Sequence, residues 1–119
     1  MPAISGRCLC GAVRWEVSYA PQWLVSCNCS ACRRYGALWA HYRIDEVVLE
    51  GETRRYTRGD RSLAFCACPT CGCIIHYRSV PGTDPSERLS VNMRMAAPED
   101  WNKIRVRHFD GADSWEFLD

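Results

Sequence analysis

Nine cysteines fall into three tight groups in a chain of 119 residues, and no other feature restricts its folding as strongly. The groups are Cys8-Leu9-Cys10, then Cys27-Asn28-Cys29-Ser30-Ala31-Cys32, then Cys66, Cys68, Cys71 and Cys73. Thiols this close together serve disulfides or a metal. Nine is an odd number, the opening run Met1-Pro2-Ala3-Ile4-Ser5-Gly6-Arg7 lacks the apolar core of an export signal, and close pairs have metal-ligand spacing. The expectation is a metal-binding protein in a reducing, cytoplasmic compartment.

Side chains alternate faces along a strand, so Cys8 and Cys10 can point the same way, as can Cys27 with Cys29 and Cys66 with Cys68. Cys68-Pro69-Thr70-Cys71-Gly72 reads as half of a zinc knuckle, in which the proline stiffens a tight turn and the glycine lets the backbone fold beneath the metal. A closed structural site needs four ligands, and the simplest assembly joins Cys8 and Cys10 to Cys68 and Cys71. Spacing alone leaves open a second pairing, in which the central group shares Cys68 and Cys71. Cys66 and Cys73 read as small buried hydrophobes.

The central triplet Cys27, Cys29 and Cys32 has no fourth ligand nearby. His41 follows nine residues after Cys32, but it lies in the strand-like run Trp39-Ala40-His41-Tyr42 and reads as a half-buried sheet residue, as do His76 and His108. Three ligands leave a tetrahedral zinc ion one free position, the mark of a catalytic site. Three thiolates also leave such a site negatively charged, a weak Lewis acid that favours thiols over water. Cys27, Cys29 and Cys32 are therefore the candidate catalytic residues, and carbon-sulfur chemistry is expected rather than hydrolysis. Arg33, Arg34 and Arg43 are candidates to hold a substrate carboxylate, because the planar guanidinium matches a carboxylate's two oxygens.

The length suits one domain spanning 1–119, with no room for a second core. A formal net charge of +1, with no basic run longer than Arg33-Arg34 or Arg54-Arg55, argues against a nucleic-acid reader. No apolar run approaches the ~20 residues of a membrane helix. Val13, Trp15 and Val17 alternate with polar residues, and short β-rich runs recur at Leu24 to Cys27, Leu38 to Tyr42, Val47 to Glu50, Arg54 to Thr57, Leu63 to Cys68, Ile74 to Tyr77, Leu89 to Met93 and Arg105 to Phe109. Ser30 and Ala31 read as a turn, Pro81 to Pro85 as an exposed loop, and Ala97 to Trp101 as one turn of helix. The five tryptophans read as core or rim residues. A mainly β domain stabilised by zinc is expected.

Three ordered motifs, Gly6-Arg7-Cys8-Leu9-Cys10-Gly11-Ala12-Val13, Cys27-Asn28-Cys29-Ser30-Ala31-Cys32-Arg33 and Cys68-Pro69-Thr70-Cys71-Gly72, make the chain resemble the glutathione-dependent formaldehyde-activating (GFA) family, which includes centromere protein V. The resemblance runs from Gly6 to about Asp110. It implies several small antiparallel β-sheets in a fold shared with a mammalian Rab-binding chaperone. It also implies two zinc ions per chain: a structural one on Cys8, Cys10, Cys68 and Cys71, and an open one on Cys27, Cys29 and Cys32. The reaction it implies is a carbon-sulfur lyase type, condensing glutathione with formaldehyde to S-hydroxymethylglutathione. The expected partner is a small thiol or thiol–aldehyde adduct. A non-catalytic zinc module that carries an adduct or binds a protein is the alternative from another class.

Overall fold

The computed structural model describes residues 3–81 and 87–119. Among them ten strands form two sheets: β1 (Ile4–Arg7), β2 (Arg14–Val17), β3 (Trp23–Cys27), β4 (Trp39–Arg43), β5 (Val47–Glu50), β6 (Arg54–Thr57), β7 (Leu63–Ala67), β8 (Ile74–Ser79), β9 (Arg88–Asn92) and β10 (Arg105–Phe109). The smaller sheet has the order β1-β2-β5 and the larger β10-β3-β4-β9-β8-β7-β6. All pairs are antiparallel except β10 with β3, which run parallel with Phe109 opposite Cys27. The expected β architecture and all of the expected strands are present, with β1 in addition.

Alternation explains how the sheets meet. On β2, Trp15 and Val17 are buried while Arg14 and Glu16 are exposed. Trp15 and Val17 join Leu24, Ala40, Leu89 and Val91 of the large sheet in one core, where apolar area removed from water supplies the main stabilisation. Val25, Trp39, Phe65 and Tyr77 belong to a second core with Ala31 and Cys32. Leu24 and Val25 are neighbours on β3, as are Trp39 and Ala40 on β4, so the two cores lie on opposite faces of the large sheet. The three-cysteine group rests on the second face.

Three features differ from the expectations. Ser30 and Ala31 open a helix rather than a turn: α1 spans Ser30–Tyr35, and Cys29 caps it by accepting the Cys32 N–H at 3.3 Å. A cysteine sulfur thus does the work usually given to a serine or aspartate oxygen, and the capping preferences of side-chain oxygens do not reveal it. β1 has only four residues, one of them Gly6, and its pairing with β2 sustains it in place of local propensity. His76 is buried, but His41 and His108 are solvent-exposed on their strands rather than half-buried. A second short helix, α2 (Pro98–Trp101), lies where one helical turn was expected. Of the expected loop from Pro81 to Pro85, residues 82–85 lie outside the described residues. Among the described residues no helix is long and apolar enough to cross a membrane.

Candidate metal centres

Two hairpins bring the first and third cysteine groups together. Between β1 and β2, Gly11 N–H donates to the Cys8 carbonyl and Val13 N–H to Cys8 Sγ. Between β7 and β8, Gly72 N–H donates to the Cys68 carbonyl and Cys71 N–H to Cys68 Sγ. Gly72 has φ +82°, a conformation that glycine adopts without steric penalty, as the Cys-Pro-Thr-Cys-Gly motif requires. The sulfurs of Cys8, Cys10, Cys68 and Cys71 lie within 4.8 Å of one another, with Cys8 to Cys10 and Cys10 to Cys68 both 3.6 Å. Tetrahedral coordination with metal–sulfur bonds of 2.3 Å spaces sulfurs about 3.8 Å apart, so this donor set fits zinc. One hairpin belongs to each sheet, so a metal on these four residues clasps the sheets together.

The second group is built from the end of β3 and the start of α1. Cys27, Cys29 and Cys32 also hold their sulfurs within 4.8 Å of one another. Cys32 is buried and receives the Trp39 indole N–H at 3.3 Å, while Cys27 and Cys29 are half-buried. Hydrogen bonding from Cys32 Sγ outweighs burial and, with the N–H groups of Cys29 and Gly111, draws the Cys27 thiol down to about 5. Cys32 is raised for the complementary reason, as the donor to Cys27 and by burial. At neutral pH the group therefore presents a ready thiolate, the protonation state that metals and electrophiles require.

The segment after β10 forms a strap over this group. Because β10 runs parallel to β3, the chain leaving Phe109 passes alongside Asn28. Asn28 Nδ2 donates to Asp110 Oδ1 at 3.0 Å, and its Oδ1 accepts from Ala112 N–H at 3.0 Å. Between these bonds lies Gly111, where a Cβ would stand 2.6 Å from Cys27 Sγ. The strap then folds back: Leu118 N–H bonds the His108 carbonyl, and Asp119 accepts from both the backbone N–H and Nδ1 of His108, at 2.9 and 2.8 Å. A cleft of about 600 Å³ opens beside Cys27 and Cys32, lined also by Arg33, Arg94 and Asp119.

The model of the family described as glutathione-dependent formaldehyde-activating enzyme matches residues 3–105. The chain belongs to the GFA family. A crystal structure of a Rhodobacter sphaeroides protein shares the fold with a TM-score of 0.68 at 28% identity, over 86% of this chain and 98% of that one. Among curated proteins none matches the chain significantly. The family match ends at residue 105, so the strap over the three-cysteine group lies beyond it.

The tertiary structure of this GFA chain separates the three arginines singled out from sequence. Arg33 lines the cleft. Arg34 donates to the Ser30 carbonyl within its own helix, and Arg43 pairs with Asp45 at 3.4 Å and Glu87 at 3.0 Å, so neither is brought to the cleft. His41 bonds Ser90 Oγ and joins neither cysteine group. Cys66 is buried and bonds the Ala64 carbonyl, whereas Cys73 is only partly buried beside the four-cysteine group. Arg94, Gly111 and the Asn28–Asp110 bond escaped sequence reasoning. The only sequence signal for them is Asn28, a hydrogen-bonding amide wedged between two ligand candidates.

Proposed function

We propose that this protein is a zinc-dependent carbon-sulfur lyase-type protein that acts on thiol adducts of small aldehydes, with glutathione and formaldehyde as the reference pair. One observation carries the reading: four thiols converge where two hairpins meet, while three converge beside an open cleft. The first set is complete for a structural zinc and the second leaves a position for a ligand. When bound at Cys27, Cys29 and Cys32, zinc supplies a positive centre that favours the thiolate form of an incoming thiol.

The chain's own residues hold and shape this place. Trp39 orients Cys32, the N–H groups of Cys29 and Gly111 stabilise Cys27 as thiolate, and the strap narrows the approach so that a substrate enters from the cleft. The two bases lining the cleft, His108 and Asp119, are bonded to each other. Such a pair orients an imidazole for proton transfer, which supports the lyase-type reading; a non-catalytic adduct carrier is the second reading. Both readings need reduced thiols and hence a reducing compartment such as the cytoplasm.

The test mixes zinc-loaded protein with glutathione and formaldehyde and follows the adduct by NMR. Faster adduct formation identifies a lyase-type catalyst, and adduct binding without acceleration identifies a carrier. Neither binding nor a rate change removes glutathione from the proposal.

A further inference from the structure

We propose that Arg94 and Arg33 form a carboxylate clamp on the cleft beside Cys27 and Cys32, with Arg94 determining specificity, so that the centre selects thiols bearing an acidic group. This rests on the reading of the three-cysteine group as a thiol site and names the substrate class that site takes.

The charge layout of the cleft supports the clamp. Its lining includes two cations, Arg33 and Arg94, and one carboxylate side chain, that of Asp119. Asp119 is occupied by two hydrogen bonds from His108. Among the described residues neither arginine has an acidic partner: the ion pairs there are Arg43 with Asp45, Arg43 with Glu87, and His108 with Asp119. Two guanidinium groups without acidic partners therefore line the cleft beside the cysteine group.

Arg94 is also held in place. It lies 58 positions beyond Gly36 in the chain, yet its Nε–H donates to the Gly36 carbonyl at 2.7 Å, where α1 ends. Its guanidinium lies over the Trp101 ring at 5.8 Å. One of its five N–H donors is thereby used and the fork is oriented, which lowers the entropy lost when a carboxylate binds. Arg33 follows Cys32 directly on α1. A space of this volume, if rounded, is about 10 Å across and lies in the range of small-molecule sites. A thiol at the cysteine group and a carboxylate a few bonds away can thus both find partners.

Two small thiols of similar size separate the charge from the sulfur: 3-mercaptopropionate and 2-mercaptoethanol, each titrated calorimetrically into zinc-loaded protein. The expected result is that the acid binds roughly five- to tenfold more tightly, the range for a solvent-accessible but oriented charge pair. The preference shrinks in higher salt. Arg94→Gln removes most of it while leaving 2-mercaptoethanol affinity unchanged. Arg34→Gln, which deletes the same charge from the next position of α1, retains it. Equal affinity of the wild type for the two thiols, or an undiminished preference in Arg94→Gln, overturns the clamp alone. Binding of neither thiol overturns the thiol site itself and the clamp with it.

Discussion

Replacing Gly111 with alanine tests whether the strap shapes the three-cysteine centre. The added Cβ would lie 2.6 Å from Cys27 Sγ and 3.2 Å from Cys29 Cβ. Optimal contacts between such atoms are 3.5 to 4.0 Å, so the closer approach is about 1 Å too short. The backbone at Gly111 is not in the left-handed region, so alanine brings no conformational penalty there and only the clash acts. Either Cys27 moves or the strap does. Overpacking of this kind costs about 1 to 3 kcal/mol. Lifting the strap instead breaks the two bonds to Asn28, at about 1 kcal/mol each, so both routes reach a similar total. Because the clash falls on ligand positions, the expected result is zinc affinity lowered roughly 5- to 150-fold at this centre. The four-cysteine site should be unaffected. Competition with a chromophoric chelator resolves the two sites. If both zincs are retained at wild-type affinity, or if the four-cysteine zinc is the one lost, the strap does not shape the centre.

Cysteine-to-serine changes should split by site. Cys71→Ser removes one of the four thiols of the proposed clasp between sheets, where a structural zinc would be worth ~10 to 16 kcal/mol, and should leave the chain unfolded by circular dichroism; Cys29→Ser should release one zinc with the fold intact. Trp39→Phe deletes the N–H that Cys32 Sγ accepts, and a tenfold or greater loss of zinc affinity at the three-cysteine centre is expected, in line with other groups that support metal ligands. His76 is 2% exposed, and burial, with Arg78 and Arg55 nearby, lowers its pKa from 6.5 to about 4. The unfolded chain therefore takes up the proton first as pH falls. The contribution is complete above about pH 6.5 and is lost between there and pH 4, a total of about 3 kcal/mol. In His76→Gln the denaturant midpoint should fall less steeply with acid than in the wild type, and parallel curves would refute this assignment. The comparison is made with zinc in excess, over the pH range in which both proteins stay zinc-loaded.

The cysteine groups were legible because chelation within each is a local matter. Cys8 with Cys10, Cys68 with Cys71, and Cys27 with Cys29 and Cys32 are separated by one or two residues, so the geometry of one turn decides whether their sulfurs meet. The strands were legible for a related reason: β2 reads as Trp15 and Val17 in, Arg14 and Glu16 out, and that period exists before any partner is known. The helix after Cys29 was harder to see, because its cap is a sulfur.

What surrounds the three-cysteine centre was decided by contacts between distant parts of the chain. Arg43 looked as close to the centre in sequence as Arg94 looked remote, yet β4 carries Arg43 away to Asp45 and Glu87, while the Gly36 carbonyl holds Arg94 at the cleft. Gly111 reaches Cys27 because β10 joins β3 in parallel, with Phe109 beside Cys27. The sequence by itself determined which neighbouring thiols can act together, since a few bonds of backbone geometry suffice for that. Only the tertiary structure decided that the first and third groups meet, which group opens on a cleft, and which charges face it. Those outcomes depend on strand register and burial summed over the whole chain, and no short motif encodes that sum.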